Sequence, residues 1–161
     1  MRIQTEWLRE LAPNDLNARQ MAELLTRLGF EVEEAAFLDD VLAEVRMGLV
    51  TDKQPHPDAP DMFVCQLDLG EHGQRQIVCA SAHPIEIGWL VPVAPPGLDL
   101  PTGIPIREGR FRGVESAGMI CMDRELGVLP RGSGLQYSTD VSLKGVPVCD
   151  AFNIGDALIE V

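Results

Sequence analysis

The stretch from Arg110 to Gly127 constrains this chain more than any other. It opens with Arg110-Phe111-Arg112-Gly113, a basic turn whose glycine takes backbone angles closed to other residues. Val114 to Cys121 then alternates loosely, with Gly118 placed where a strand must bend or let another backbone approach. Asp123-Arg124-Glu125-Leu126-Gly127 reads as one helical turn stopped by glycine. A strand, a kink and a short helix, introduced by paired arginines, predict a small barrel closing on itself. Nothing in the stretch is built like a nucleophile elbow or a phosphate loop.

The rest of the chain supplies strands for such a barrel. From Val41 the periodicity is that of a strand, with Val41, Ala43, Val45, Met47 and Leu49 alternating against Leu42, Glu44, Arg46 and Gly48. Pro55-His56-Pro57-Asp58-Ala59-Pro60 predicts a rigid loop, because proline fixes the backbone and excludes helix. Met62 to Leu69 is the second strand, Gly70 to Gly73 its turn, and Gln74 to Ala80 the third. Pro92 to Pro101 reads as a connector, and Ile104 to Glu108 leads into the Arg110 turn. Tyr137 to Val148 reads as loop and edge strand. The expected fold is mostly β, a five-stranded OB-type barrel over residues 41–149.

Residues 1–40 form a small α/β appendage. Thr5 is placed to cap a short helix carrying Trp7, Leu8 and Leu11, which Pro13 ends. Asn14 to Asn17 is a polar turn. Met21, Leu24, Leu25 and Leu28 form the apolar stripe of a second helix stopped by Gly29, and Phe30 to Glu33 alternates like a strand. Ala157 to Val161 is expected to return and pair with Phe30 to Val32, so that residues 150–161 join the appendage.

Composition bounds the function. The chain has 161 residues, 45% of them hydrophobic but only 5% aromatic, so aliphatic side chains fill most of the core. No apolar run approaches a membrane span, and residues 1–20 lack a signal peptide's layout, so a cytoplasmic protein is expected. Cys65, Cys79, Cys121 and Cys149 make no Cys-x-x-Cys pair and read as reduced, mostly apolar side chains. Zinc would need His56, Cys65, Cys79 and Cys121 to converge, and that spacing matches no familiar site. The formal net charge of −12 repels RNA at long range, so any nucleic-acid site must be a local cationic patch.

Arg112-Gly113-Val114-Glu115-Ser116-x-Gly118-Met119-x-Cys121, followed by Glu125-Leu126-Gly127, closely resembles the tRNA-binding OB domain near the N-terminus of the bacterial phenylalanyl-tRNA synthetase beta subunit. His56-Pro57 with Val64-Cys65-x-x-Asp68-x-Gly70, then Gln76 to Cys79, and Pro92 to Ala94 through Gly103 match the same family in order and spacing. Trp7-Leu8 and Leu25-Thr26-x-x-Gly29-Phe30-Glu31-Val32-Glu33 are similar to the start of that subunit, a piece that free tRNA-binding modules generally lack. The resemblance implies either the N-terminal region of such a subunit or a free-standing paralogue, binding tRNA accessory to aminoacylation. It implies tRNA, the synthetase alpha subunit and the rest of the beta subunit as partners. It places ATP and magnesium in the parent enzyme only, with no catalytic residue or cofactor in this chain. Three positions depart from the family: Pro60-Asp61-Met62 replaces Asp-Lys-Leu, Cys79-Ala80-Ser81-Ala82-His83 replaces a Cys-Gly-Ala-x-Asn turn, and Met122 stands for a serine.

Arg110 and Arg112 alternate about Phe111, so an extended backbone would project both guanidiniums from one face, suited to single-stranded RNA. Pairing of Arg110 with Glu108 or Glu115 is the competing role. Ser116 and Met119 match the family motif and are candidate contacts, though barrel-wall packing is the other reading. Lys53 and Arg107 extend the candidate patch, with Arg46 and Arg75 as further cations. His83, four residues after Cys79, lacks the orienting group and oxyanion hole a nucleophile pair requires. A different class of function is a protein-interaction module that has lost RNA binding, docking on a synthetase or forming a homodimer through a barrel edge. The net charge, Asp61 and Met122 favour it.

Overall fold

The computed structural model describes residues 2–14, 16, 18–32, 34–82, 84–127, 134–152 and 157–160. The N-terminal part runs β1 (Arg2–Gln4), α1 (Thr5–Leu11), α2 (Ala18–Arg27), β2 (Glu34–Phe37) and α3 (Leu38–Leu42). The apolar stripe of α2 buries Met21 against Leu8, Leu16, Leu25 and Val32. Gly29, at φ 90°, ends the helix in a Schellman turn: Phe30 N–H donates to Leu25 C=O and Gly29 N–H to Thr26 C=O, both at 3.1 Å.

That cap corrects two expectations. Phe30 is spent on closing the helix, so the strand expected at Phe30–Glu33 forms instead at Glu34–Phe37. Strand β10 (Ala157–Glu160) therefore pairs with β2, Ala157 opposite Phe37 and Glu160 opposite Glu34, rather than with Phe30 to Val32. Its other side pairs with β1, giving an antiparallel sheet in the order β1-β10-β2.

The main sheet contains β3 (Arg46–His56), β4 (Ala59–Asp68), β5 (Gln74–Ala80), β6 (Leu90–Ala94) and β9 (Met119–Ile120) in the antiparallel order β5-β4-β3-β6-β9. Between the last two, β7 (Glu108–Phe111) and β8 (Val114–Ala117) form a separate hairpin. The first strand begins at Arg46, not Val41, because Leu42 and Val45 are buried from a helix and the turn after it. The loop expected at Pro55–Pro60 shrinks to Pro57–Asp58, with Pro55 and Ala59-Pro60 inside strands beside a register shift. Pro92 lies in β6 rather than in a connector. Its partner Met47 turns its own N–H and C=O toward Val146 and Gly145, so the missing proline N–H removes nothing from the β3–β6 ladder. Within the Tyr137–Val148 stretch expected as loop and edge strand, Val141–Leu143 forms one 3-10 turn, and α4 (Val148–Phe152) begins where the stretch ends.

Side chains alternate across the sheet and build a core on each face. One holds Val50, Cys65, Leu67, Ile77, Val91, Val93 and Ile120. The other holds Met47, Leu90, Ala94 and Cys121 with Leu42, Val45, Leu126 and Val148 from the covering segments. Strand β8 lies against β5, the opposite edge of the sheet from β9, and side chains join them: Val78 N–H donates to Ser116 Oγ at 3.1 Å, and Gln76 Nε2 donates to Glu115 C=O at 2.8 Å. The sheet's two edges are thus drawn together by way of β8. Among the described residues no helix is long and apolar enough to cross a membrane.

Cys65, Cys79 and Cys121 are buried free thiols, whereas Cys149 on α4 is half-buried. Burial, with Glu125 nearby, pushes the Cys121 thiol up to about 12. The hydrogen bond with Cys65, then burial, raises Cys79 as well. The same bond lowers Cys65, which is shielded by burial alone. On accessibility, a thiol reagent at pH 8 should modify Cys149 first, the three buried thiols reacting about 100-fold more slowly until denaturant is added. Fast reaction of two or more thiols in the native chain would contradict these environments.

Candidate nucleic-acid interface

The basic turn is the tip of the β7–β8 hairpin, a two-residue loop of Arg112 and Gly113 closed by the Phe111–Val114 pair. Arg112 has φ 44° and Gly113 φ 88°, the paired left-handed conformation that matches the twist of the flanking strands. Asparagine and glycine suit this loop, while arginine at its first position costs about 1 kcal/mol. Arg112 is the one non-glycine residue at positive φ among the described residues.

The left-handed turn ends the extended alternation expected for the two arginines. Arg110 stays on β7 and pairs with Glu115 across the hairpin. Arg112 Nη1 donates to Asp58 C=O at 2.8 Å, in the turn between β3 and β4. From that turn, His56 Nε2 lies 2.8 Å from Phe111 C=O. The hairpin tip and the β3–β4 turn thus meet, with Phe111 44% exposed. Beside them Glu108, Gly109, Arg110, Glu115, Ser116 and Ala117 line a groove of about 410 Å³.

The remaining candidates are placed differently. Arg107 is exposed on the chain entering β7. Lys53 is engaged by other partners: its Nζ donates to Ile85 C=O at 2.7 Å and sits 4.0 Å above the Phe63 ring. Ser116 is 3% exposed, and its hydroxyl donates to Gly118 C=O while accepting Val78 N–H. Met119 is half-buried, lining a smaller groove of about 180 Å³ with Cys79 and Met122. Arg46 donates to Gly145 C=O, far along the sheet from the hairpin. Arg75 is half-buried on β5, with its Nε enclosed. His83 lies outside the described residues. The structure therefore gathers Arg107, Arg110, Phe111 and Arg112 on one hairpin. Sequence reasoning missed the contact between His56 and Phe111, 55 positions apart, and the proline-flanked histidine was its only local signal.

A small antiparallel β module presenting a strained basic hairpin is the class these features define. Residues 45–138 match the family described as "Putative tRNA binding domain", and the chain belongs to that family. It is also similar over nearly its whole length to phenylalanine--tRNA ligase beta subunits. The identity is 41% with the subunit from Synechococcus sp. (strain JA-3-3Ab), over 92% of this chain and 18% of the relative. It is 36% with that from Anaeromyxobacter dehalogenans, over 100% of this chain and 20% of the relative. The chain thus spans about a fifth of the length of the curated relatives it matches. A solved structure, that of a MetRS related protein from Pyrococcus horikoshii, overlaps with a TM-score of 0.46 at 18% identity, covering 65% of this chain and 87% of that one.

Proposed function

We propose that this chain is an accessory tRNA-binding region of a phenylalanine--tRNA ligase beta subunit, or a free-standing relative of one, and that it holds tRNA at the β7–β8 hairpin. The observation that carries this reading is the meeting of that hairpin with the β3–β4 turn. In barrels of the OB type the loop after the first strand and the loop before the last line the oligonucleotide groove. Here the second of those loops presents Arg107, Arg110, Arg112 and an exposed Phe111, and the first holds its tip. Guanidinium groups pair with phosphates, and an aromatic ring offers a face for an unpaired base. On this reading residues 41–149 carry the site, while residues 1–40 and 150–161 join it to its neighbours. ATP, magnesium and the aminoacylation chemistry belong to the rest of a cytoplasmic enzyme and its alpha subunit.

Three arginines against phosphate predict a log–log salt slope of about −2 for tRNA binding, an affinity loss of about 20-fold between 50 and 200 mM salt. Glu115 competes with phosphate for Arg110. Glu115→Gln should therefore tighten binding by about twofold to fivefold, the worth of an exposed ion pair. Fluorescence anisotropy with labelled tRNA measures both. Salt-independent binding, or none at 50 mM salt, would overturn the proposal in favour of a protein-docking module.

A further inference from the structure

His56 closes β3 beside two prolines, a place where a histidine reads as a simple turn residue. It is 3% exposed, and both ring nitrogens are engaged. Nδ1 accepts the N–H of Asp58 at 3.1 Å, so that nitrogen carries no proton. The ring proton of the neutral imidazole is therefore on Nε2, which donates to Phe111 C=O at 2.8 Å. Asp58 in turn accepts Arg112 Nη1 through its C=O. Two residues of the β3–β4 turn thus hold two residues of the hairpin tip, and the tautomer of one ring links them.

Among the described residues, the hairpin's other hydrogen bonds to the main sheet do not reach its tip. Gln76 and Val78 hold Glu115 and Ser116, both on β8. Strand β7 pairs only with β8 among the described strands. We infer that His56 is a positioning residue: it fixes the tip of β7, and through it Phe111 and Arg112, in the orientation that meets RNA. The RNA part of this inference rests on the function proposed above, whereas the positioning part does not.

Two substitutions separate positioning from turn formation. In His56→Asn the shortened side chain still accepts the N–H two residues on, the bond asparagine makes in turns, but it falls short of Phe111. In His56→Gln the amide nitrogen occupies the reach of Nε2 and restores the donor to Phe111 C=O. Both variants should keep the far-ultraviolet dichroism and unfolding midpoint of a folded chain. Amide hydrogen exchange across residues 108–115 should quicken about tenfold in His56→Asn and return close to wild type in His56→Gln. Affinity for tRNA should follow the same order, falling about fivefold in the first variant and recovering in the second. Equal hairpin exchange in wild type and His56→Asn would overturn the inference and leave His56 a turn residue. So would His56→Gln exchanging as fast as His56→Asn. A wild-type chain that bound no tRNA would sink the proposed function alone, with hydrogen exchange still deciding the role of His56.

Discussion

Gly118→Ala is expected to lower the free energy of unfolding by about 3 to 5 kcal/mol, enough to leave much of the chain unfolded at 37 °C. Gly118 has φ 126°, and an added Cβ would sit 2.5 Å from Ala94 C=O, a backbone atom of β6 that cannot swing aside. The residue divides β8 from β9, one lying against β5 and the other pairing with β6. Its carbonyl also accepts the Ser116 hydroxyl that receives Val78 N–H. Any shift that relieves the clash therefore pulls at both edges of the sheet. Gly103→Ala is the control, with φ 79° and nothing within 4 Å of the new Cβ, and should cost about 1 to 2 kcal/mol. Urea unfolding followed by tryptophan fluorescence compares them. Equal losses would mean that the approach to Ala94 contributes nothing beyond backbone angle.

The double change Arg110→Gln with Arg112→Gln should weaken tRNA binding about 100-fold at low salt, because each charge-assisted contact contributes about 1.5 kcal/mol. The remaining salt slope should be about −0.7, that of one phosphate contact. Stability should fall by no more than about 1 to 2 kcal/mol. Arg110 loses an exposed pair with Glu115, Arg112 its exposed bond to Asp58 C=O, and glutamine bears the left-handed turn at position 112 about as poorly as arginine does. That contrast separates a binding role from a structural one. A loss of binding matched by an earlier unfolding midpoint would point instead to collapse of the hairpin.

Much of this architecture is legible in the residues. Strand β5 runs from Gln74 to Ala80 as its alternation predicts, and Gly118 both bends the chain and admits a neighbouring backbone. The misread segments are those where two periods overlap. Val41, Ala43 and Val45 alternate like a strand, while Leu42 and Val45 also lie three residues apart, close to one helical turn, and burial of both from a helix and its following turn decides the outcome. Pro92 looked like a loop signal because its harmlessness depends on where Met47 sends its own hydrogen bonds. The candidate site was legible as a basic turn, and no further. Whether a cation is available depends on distant partners: Ile85 and Phe63 for Lys53, Asp58 for Arg112. Local patterns carry no record of such partners.

The bridge between Arg46 and Pro147 has a consequence for how the chain is organised. Val148 N–H donates to Val45 C=O at 2.8 Å beside that bridge, so the polypeptide enters and leaves the five-stranded region through a single narrow neck. The sheet built from β1, β2 and β10 is interrupted by the chain that runs from Arg46 to Pro147, yet that stretch ends almost where it begins. Topologically the five-stranded region is a bead on a closed loop. It can lengthen, shorten or be exchanged without parting the strands that anchor it, and any force on the hairpin reaches those strands through two adjacent segments at once.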